Sequence, residues 1–174
     1  MSGSIRIQFL IFFLALHTGT VFASEFDLQM REAGHPGTSA SRLWKLSESS
    51  HWEVRQVLAR NRRSPRELLH ELASDPHPQV RIGVATNLGT HERTFLVLAK
   101  DKDISVRSVV ARFEYVPVSA LKILARDTQA QIRIEVAQNL NSNKEILIIL
   151  QKDTDPDIAA IAQQSLQRLE ESGF

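Results

Sequence analysis

The sequence predicts an all-α protein, a right-handed α-α superhelix (solenoid) of five 26-residue two-helix repeats, and three observations predict it. Apolar residues recur every 26 positions at Val54, Val80, Val106, Ile132 and Ile158. A second column keeps the same step through Leu46, Leu72, Leu98, Leu124 and Leu150. Within each unit the spacing is helical, as in Val80, Val84 and Leu88. A gapless period of this length marks a unit too small to bury its own apolar face, which must stack on its neighbours.

The chain opens on a different signal. Arg6 precedes an apolar run over residues 7–16, interrupted only by Gln8, and Val21-Phe22-Ala23 follows. That pattern predicts a signal peptide over residues 1–23, cleaved after Ala23, and a periplasmic or secreted protein with no membrane span once it is removed. The chain has no cysteine, so neither lipid attachment at a processed cysteine nor a disulfide framework is open to it. Residues 24–40 carry Gly34, Pro36, Gly37, Thr38 and Ser39 without an apolar period and read as a linker open to disorder.

The repeat domain spans residues 41–170. In its second unit, Ser64-Pro65-Arg66-Glu67 has the form of a capping box that starts a helix carrying Leu68, Leu69 and Leu72. Asp75-Pro76-His77-Pro78 ends that helix, because proline disfavours the helical conformation of the residue before it. A second helix follows and closes near Gly89. Leu43, Leu69, Phe95, Leu121 and Leu147 form one further core column, and Leu58, Val84, Val110, Val136 and Ala162 another. Gly83 and Glu135 interrupt the column of Val57, Val109 and Ile161, which places it at the core's margin.

The stretch from Glu67-Leu68-Leu69-His70-Glu71-Leu72 through Asp75-Pro76 to Val80-Arg81 and Val84-Ala85-Thr86-Asn87 resembles the bacterial leucine-rich repeat variant and, more broadly, HEAT-type helical repeats. The resemblance implies a helical solenoid that serves as a binding surface. It implies no activity. The iron-sulfur cluster that the variant family can carry sits on cysteines, which this chain lacks, so no cofactor is expected.

Charge narrows the partner little. The chain has 21 basic and 20 acidic residues, and with Arg6 in the leader the processed chain is neutral, which speaks against nucleic acid. The distribution is uneven, with Arg42, Lys45, Arg55, Arg60, Arg62, Arg63 and Arg66 near one end of a linear stack and Asp153, Asp155, Asp157, Glu170 and Glu171 near the other.

Two charged columns, Arg55, Arg81, Arg107 and Arg133 and Asp75, Asp101, Asp127 and Asp153, are offset by one unit: Ser49 replaces the first aspartate and Ala159 the last arginine. Pairing each arginine with the aspartate of the following unit leaves no charge over, so the sequence predicts a structural ladder: Arg55 with Asp75, Arg81 with Asp101, Arg107 with Asp127 and Arg133 with Asp153.

Other constellations weigh less. His51 and His77 share a column without a third ligand and make no metal site. Ser119-Ala120-Leu121-Lys122 has the form of a penicillin-interacting motif but lacks its companions and falls where a repeat helix begins. Trp44, Trp52, Phe113 and Tyr115 stand out as aromatics, Phe113 in a column otherwise held by Asn61, Asn87, Asn139 and Ser165. The function expected is an exported, non-enzymatic protein-binding module, an adaptor or an inhibitor or immunity-type binder of an envelope protein, with Arg60, Arg62, Arg63, Arg112 and Tyr115 as contacts. The alternative is a helical scaffold for a polyanion or nucleic acid, for which the basic stretch Arg60 to Arg66 would grip phosphate. The polar end helix favours a monomer.

Overall fold

The computed structural model describes residues 23–171; the expected leader, residues 1–23, lies outside the described residues except for Ala23. Among the described residues the protein is all-helical, with eleven helices. Six of them form one row: α1 (Glu25–Gly34), α3 (Trp52–Arg60), α5 (Pro78–Ala85), α7 (Ile104–Arg112), α9 (Ala130–Gln138) and α11 (Pro156–Glu171). Each packs on the next member of the row. Between them lie five seven-residue helices, α2 (Ala40–Leu46), α4 (Arg66–Leu72), α6 (Glu92–Leu98), α8 (Val118–Leu124) and α10 (Lys144–Leu150). Each of these contacts the row helix before it and the row helix after it.

Two turns of helix are unstable alone in water, so packing must hold these segments. Val54, Val80, Val106, Ile132 and Ile158 are fully buried, as are Leu58, Val84, Val110, Val136 and Ala162. Leu43, Leu69 and Leu121 join them from the short helices. The marginal column is half-buried at Val57, Val109 and Ile161. At Gly83 a Cβ would stand 2.9 Å from the Ala59 Cβ and 3.2 Å from the Gln56 carbonyl oxygen, so glycine lets α5 approach α3.

Residues 24–40, read from sequence as a linker, hold helix α1 instead. Ser24 caps it reciprocally with Asp27: the Asp27 N–H donates to Ser24 Oγ at 3.1 Å and the Ser24 N–H to Asp27 Oδ2 at 3.0 Å. Arg42 on α2 binds Glu32 of α1 through Nε at 2.8 Å. No helix among the described residues is long and apolar enough to cross a membrane.

Two other local expectations change. Ser64 forms no capping box: its hydroxyl donates back to the Leu58 carbonyl at 2.7 Å, and Pro65 is the N-cap of α4 with no side-chain cap. The last carbonyls of a helix lack intrahelical donors, so a hydroxyl six residues on supplies one. Thr38, Thr90 and Ser142 do the same for Glu32, Val84 and Val136. Helix α5 ends at Ala85, short of Gly89, and Leu88 falls outside the core stripe, 56% exposed.

Candidate interaction surface

The turns from each short helix into the following row helix carry the charged ladder. All four arginines are bidentate. Nε donates to Asp Oδ2 at 2.6 Å in Arg55–Asp75, Arg81–Asp101 and Arg107–Asp127, and at 2.7 Å in Arg133–Asp153. Nη2 donates to the other oxygen at 2.8–3.2 Å. The third donor, Nη1, reaches the carbonyl six residues before each arginine, at Ser49, Asp75, Asp101 and Asp127. That contact needs only backbone, which is why Ser49 suffices in the first unit. Each aspartate also accepts the N–H two residues on, at His77, Asp103, Gln129 and Asp155, and so turns the chain into the next row helix.

The electrostatics follow from these contacts. The hydrogen bonds that they donate to their aspartates hold all four guanidiniums above the usual arginine value. Burial pushes the Asp127 carboxyl up, but Arg107 and the Gln129 N–H outweigh it and hold it low. Arg133 holds Asp153 low against its own burial.

On the turns leaving the row helices, a second ladder is made of asparagine amides, and sequence reasoning registered it only as the column that Phe113 breaks. Asn61 Nδ2 donates to Ala33 O at 2.7 Å, Asn87 Nδ2 to Ala59 O at 2.7 Å and Asn61 O at 3.0 Å, and Asn139 Nδ2 to Ala111 O at 2.7 Å and Phe113 O at 3.2 Å. Each Oδ1 accepts the N–H two residues on. Successive turns are thereby stapled edge to edge. Phe113 has no amide to give and instead stacks on Phe95 at 5.8 Å, with Tyr115 edge-on to it at 5.9 Å.

Of the residues expected as contacts, Arg62, Arg63 and Tyr115 lie on this second set of turns, and Arg60 and Arg112 are the last residues of α3 and α7, which lead into them. Arg60, Arg62 and Arg63 are exposed, and among the described residues no acidic side chain pairs with them. Arg112 is anchored at its Nε, 3.6 Å from Glu135 Oε1, while its side chain stays 63% exposed. Glu135 is buried; its Oε1 accepts from Ser108 Oγ at 2.8 Å, and its Oε2 has no hydrogen-bond partner. Tyr115 is 63% exposed. Leu88 and Leu140, which sequence reasoning did not place here, are exposed at 56% and 85% in the same kind of turn.

The weaker constellations have local engagements. His51 packs edge-on to Phe26 at 5.0 Å and His77 stacks on Trp52 at 4.0 Å. Among the described residues no group of three or more His, Asp or Glu side chains is placed to hold a metal. Ser119 donates to Glu92 at 2.5 Å and Lys122 pairs with Glu145 at 2.6 Å, so each is taken by a different neighbouring helix. Trp44 and Trp52 pack half-buried against the core.

Comparison with known proteins identifies no family: no family model matches the chain, and no curated protein matches it.

Proposed function

We propose that this chain is an exported, non-enzymatic protein-binding module, a right-handed α-α superhelix of five 26-residue repeats of the HEAT or leucine-rich repeat variant kind, extended at its start by α1. One contrast carries the reading. The arginines of the ladder each have an aspartate, whereas Arg60, Arg62 and Arg63 have none among the described residues and lie at the end of α3 and on the turn after it, along the edge that carries exposed Leu88, Tyr115 and Leu140 on the turns after α5, α7 and α9. The ladder arginines with their aspartates, and the amides of Asn61, Asn87 and Asn139, are spent on joining one segment of the stack to the next. What is left over is surface, and a rigid row of turns presents it at fixed spacing.

The test is capture from an envelope extract of the cells that make the protein, with the full chain tagged at its C-terminus and washed at low and then high salt. One protein retained in stoichiometric amount through high salt is the expected result. The unpaired arginines favour a second reading, a scaffold for a polyanion; retention only of species that elute steeply with salt would replace the first reading with that one.

A further inference from the structure

The geometry points to a partner of defined chemistry on the turn edge: an extended segment with acidic residues at one end and apolar side chains at about every third position. This rests on the protein-binding reading above and specifies it. The six residues that carry it are Arg60 at the end of α3 and Arg62, Arg63, Leu88, Tyr115 and Leu140, which follow one another along the turns leaving α3, α5, α7 and α9.

Their alignment is physical. Asn87 ties the turn of Leu88 to the turn of Arg62 and Arg63, and Asn139 and Asn141 tie the turn of Leu140 to that of Tyr115 through Phe113 O, Glu114 O and Val116 O. The middle link is the packing of α5 on α7. Neighbouring helices in such a row stand about 8–10 Å apart, so one apolar group is offered roughly every 10 Å. A polyproline II-type extended chain advances about 3.1 Å per residue with about three residues per turn, so every third side chain of such a partner points the same way and meets the next turn.

Charge sets the composition and the order. Residues 60–64, 86–90, 112–116 and 138–142 contain Glu114 as their one acidic residue, against unpaired Arg60, Arg62 and Arg63 at one end. A partner carboxylate supplies these guanidiniums with an acceptor that no acidic side chain of the described chain provides. Leu88, Tyr115 and Leu140 are the three most exposed large apolar side chains among the described residues. Beyond Leu140 the edge opens into a groove of about 480 Å³ lined by Leu140, Leu147, Asn139, Ser165, Arg168 and Leu169. It forms because α11 runs straight on to Glu171, where the earlier row helices have already turned away. The groove seats the last apolar side chain of the partner.

The experiment selects a phage library of random twelve-residue linear peptides against the full chain. Each selected peptide is then titrated against wild type, L88S, Y115S and L140S, with V97S on α6 and I148S on α10 as exposed apolar controls. Substitution at Leu88 and Leu140, 56% and 85% exposed, shifts stability by only about ±0.5 kcal/mol, and thermal melts establish that each variant titrated is folded. The expected result is enrichment of acidic residues followed by apolar residues at three-residue spacing, with binding weakened at least about tenfold by L88S or L140S and unchanged by V97S and I148S. Absence of enrichment, or binding indifferent to all three edge substitutions, overturns the inference. A protein captured from extract by the L88S/Y115S/L140S variant as well as by wild type overturns it while leaving the protein-binding reading intact. Failure of wild type itself to retain a protein removes both.

Discussion

Arg81 and Asp101 form the most enclosed rung of the charged ladder, with side chains 5% and 6% exposed and two parallel hydrogen bonds of 2.6 and 2.8 Å. The guanidinium also holds the Asp75 carbonyl at 2.7 Å, so one side chain joins three consecutive segments. Removing one partner strands the other in a site closed to water. Asp101→Leu is expected to cost about 3–5 kcal/mol, and Arg81→Leu/Asp101→Leu less than Asp101→Leu alone, because the double variant leaves no buried charge. Urea unfolding of the three variants checks this; additive losses would show that the pair is not coupled.

Acid should loosen the Asp127 and Asp153 rungs. Asp153 is held low by Arg133 and Asp127 by Arg107 against burial, so both ionise in the folded chain below the usual aspartate value. As pH falls the unfolded chain binds these protons first. The stability they contribute is complete above about pH 4 and is lost below it, as pH passes through the folded values. The urea midpoint is expected to fall less steeply below about pH 4 in Asp153→Asn than in wild type. Equal slopes would contradict the assignment.

Asn87 offers a sharper substitution than its neighbours. It is buried, its amide donates to two carbonyls of the preceding turn, and its oxygen accepts the Gly89 N–H at 2.8 Å. Asn87→Ala is expected to cost about 1–3 kcal/mol by leaving those groups unpaired. Asn87→Asp should cost more, since it turns a carboxylate on two carbonyl oxygens while keeping the shape. Thermal melts of the pair decide; an aspartate variant as stable as wild type would remove the amide's role.

Gly83→Ala tests the contact between α3 and α5. The added methyl would meet the Ala59 Cβ at 2.9 Å and the Gln56 carbonyl at 3.2 Å, neither of which is a flexible chain end. Helix propensity favours alanine by about 0.8–1 kcal/mol, and the overlap is expected to outweigh it, for a net loss of about 1–2 kcal/mol. A stabilised variant, read by urea midpoint, would show that the two helices can separate freely.

The ladder was legible in the sequence because enclosed charges need partners, and the one-unit offset between Ser49 and Ala159 allowed a single complete pairing. Helix α1 is hidden in the sequence because the residue in its core column is Leu28, 43% exposed, and a run with Gly34, Pro36, Gly37 and Ser39 closes it; the signal lies in Ala33 and Thr38, each 26 residues before Ala59 and Ser64. Ser64 was misread because a hydroxyl can cap forward or donate back, and spacing does not tell the two apart. The spacing of Leu88 from Val80 and Val84 puts it on their helical stripe, but the helix stops at Ala85 and Asn87 enters the amide ladder, which leaves the leucine on the turn edge.

The most direct test of binding through that edge is site-specific photo-crosslinking in the cells that make the protein, with a benzophenone amino acid placed at Tyr115 or at Ile148 on α10. One discrete protein adduct from position 115 and none from position 148 is the expected result. No adduct at either position, or the same adducts at both, would contradict it.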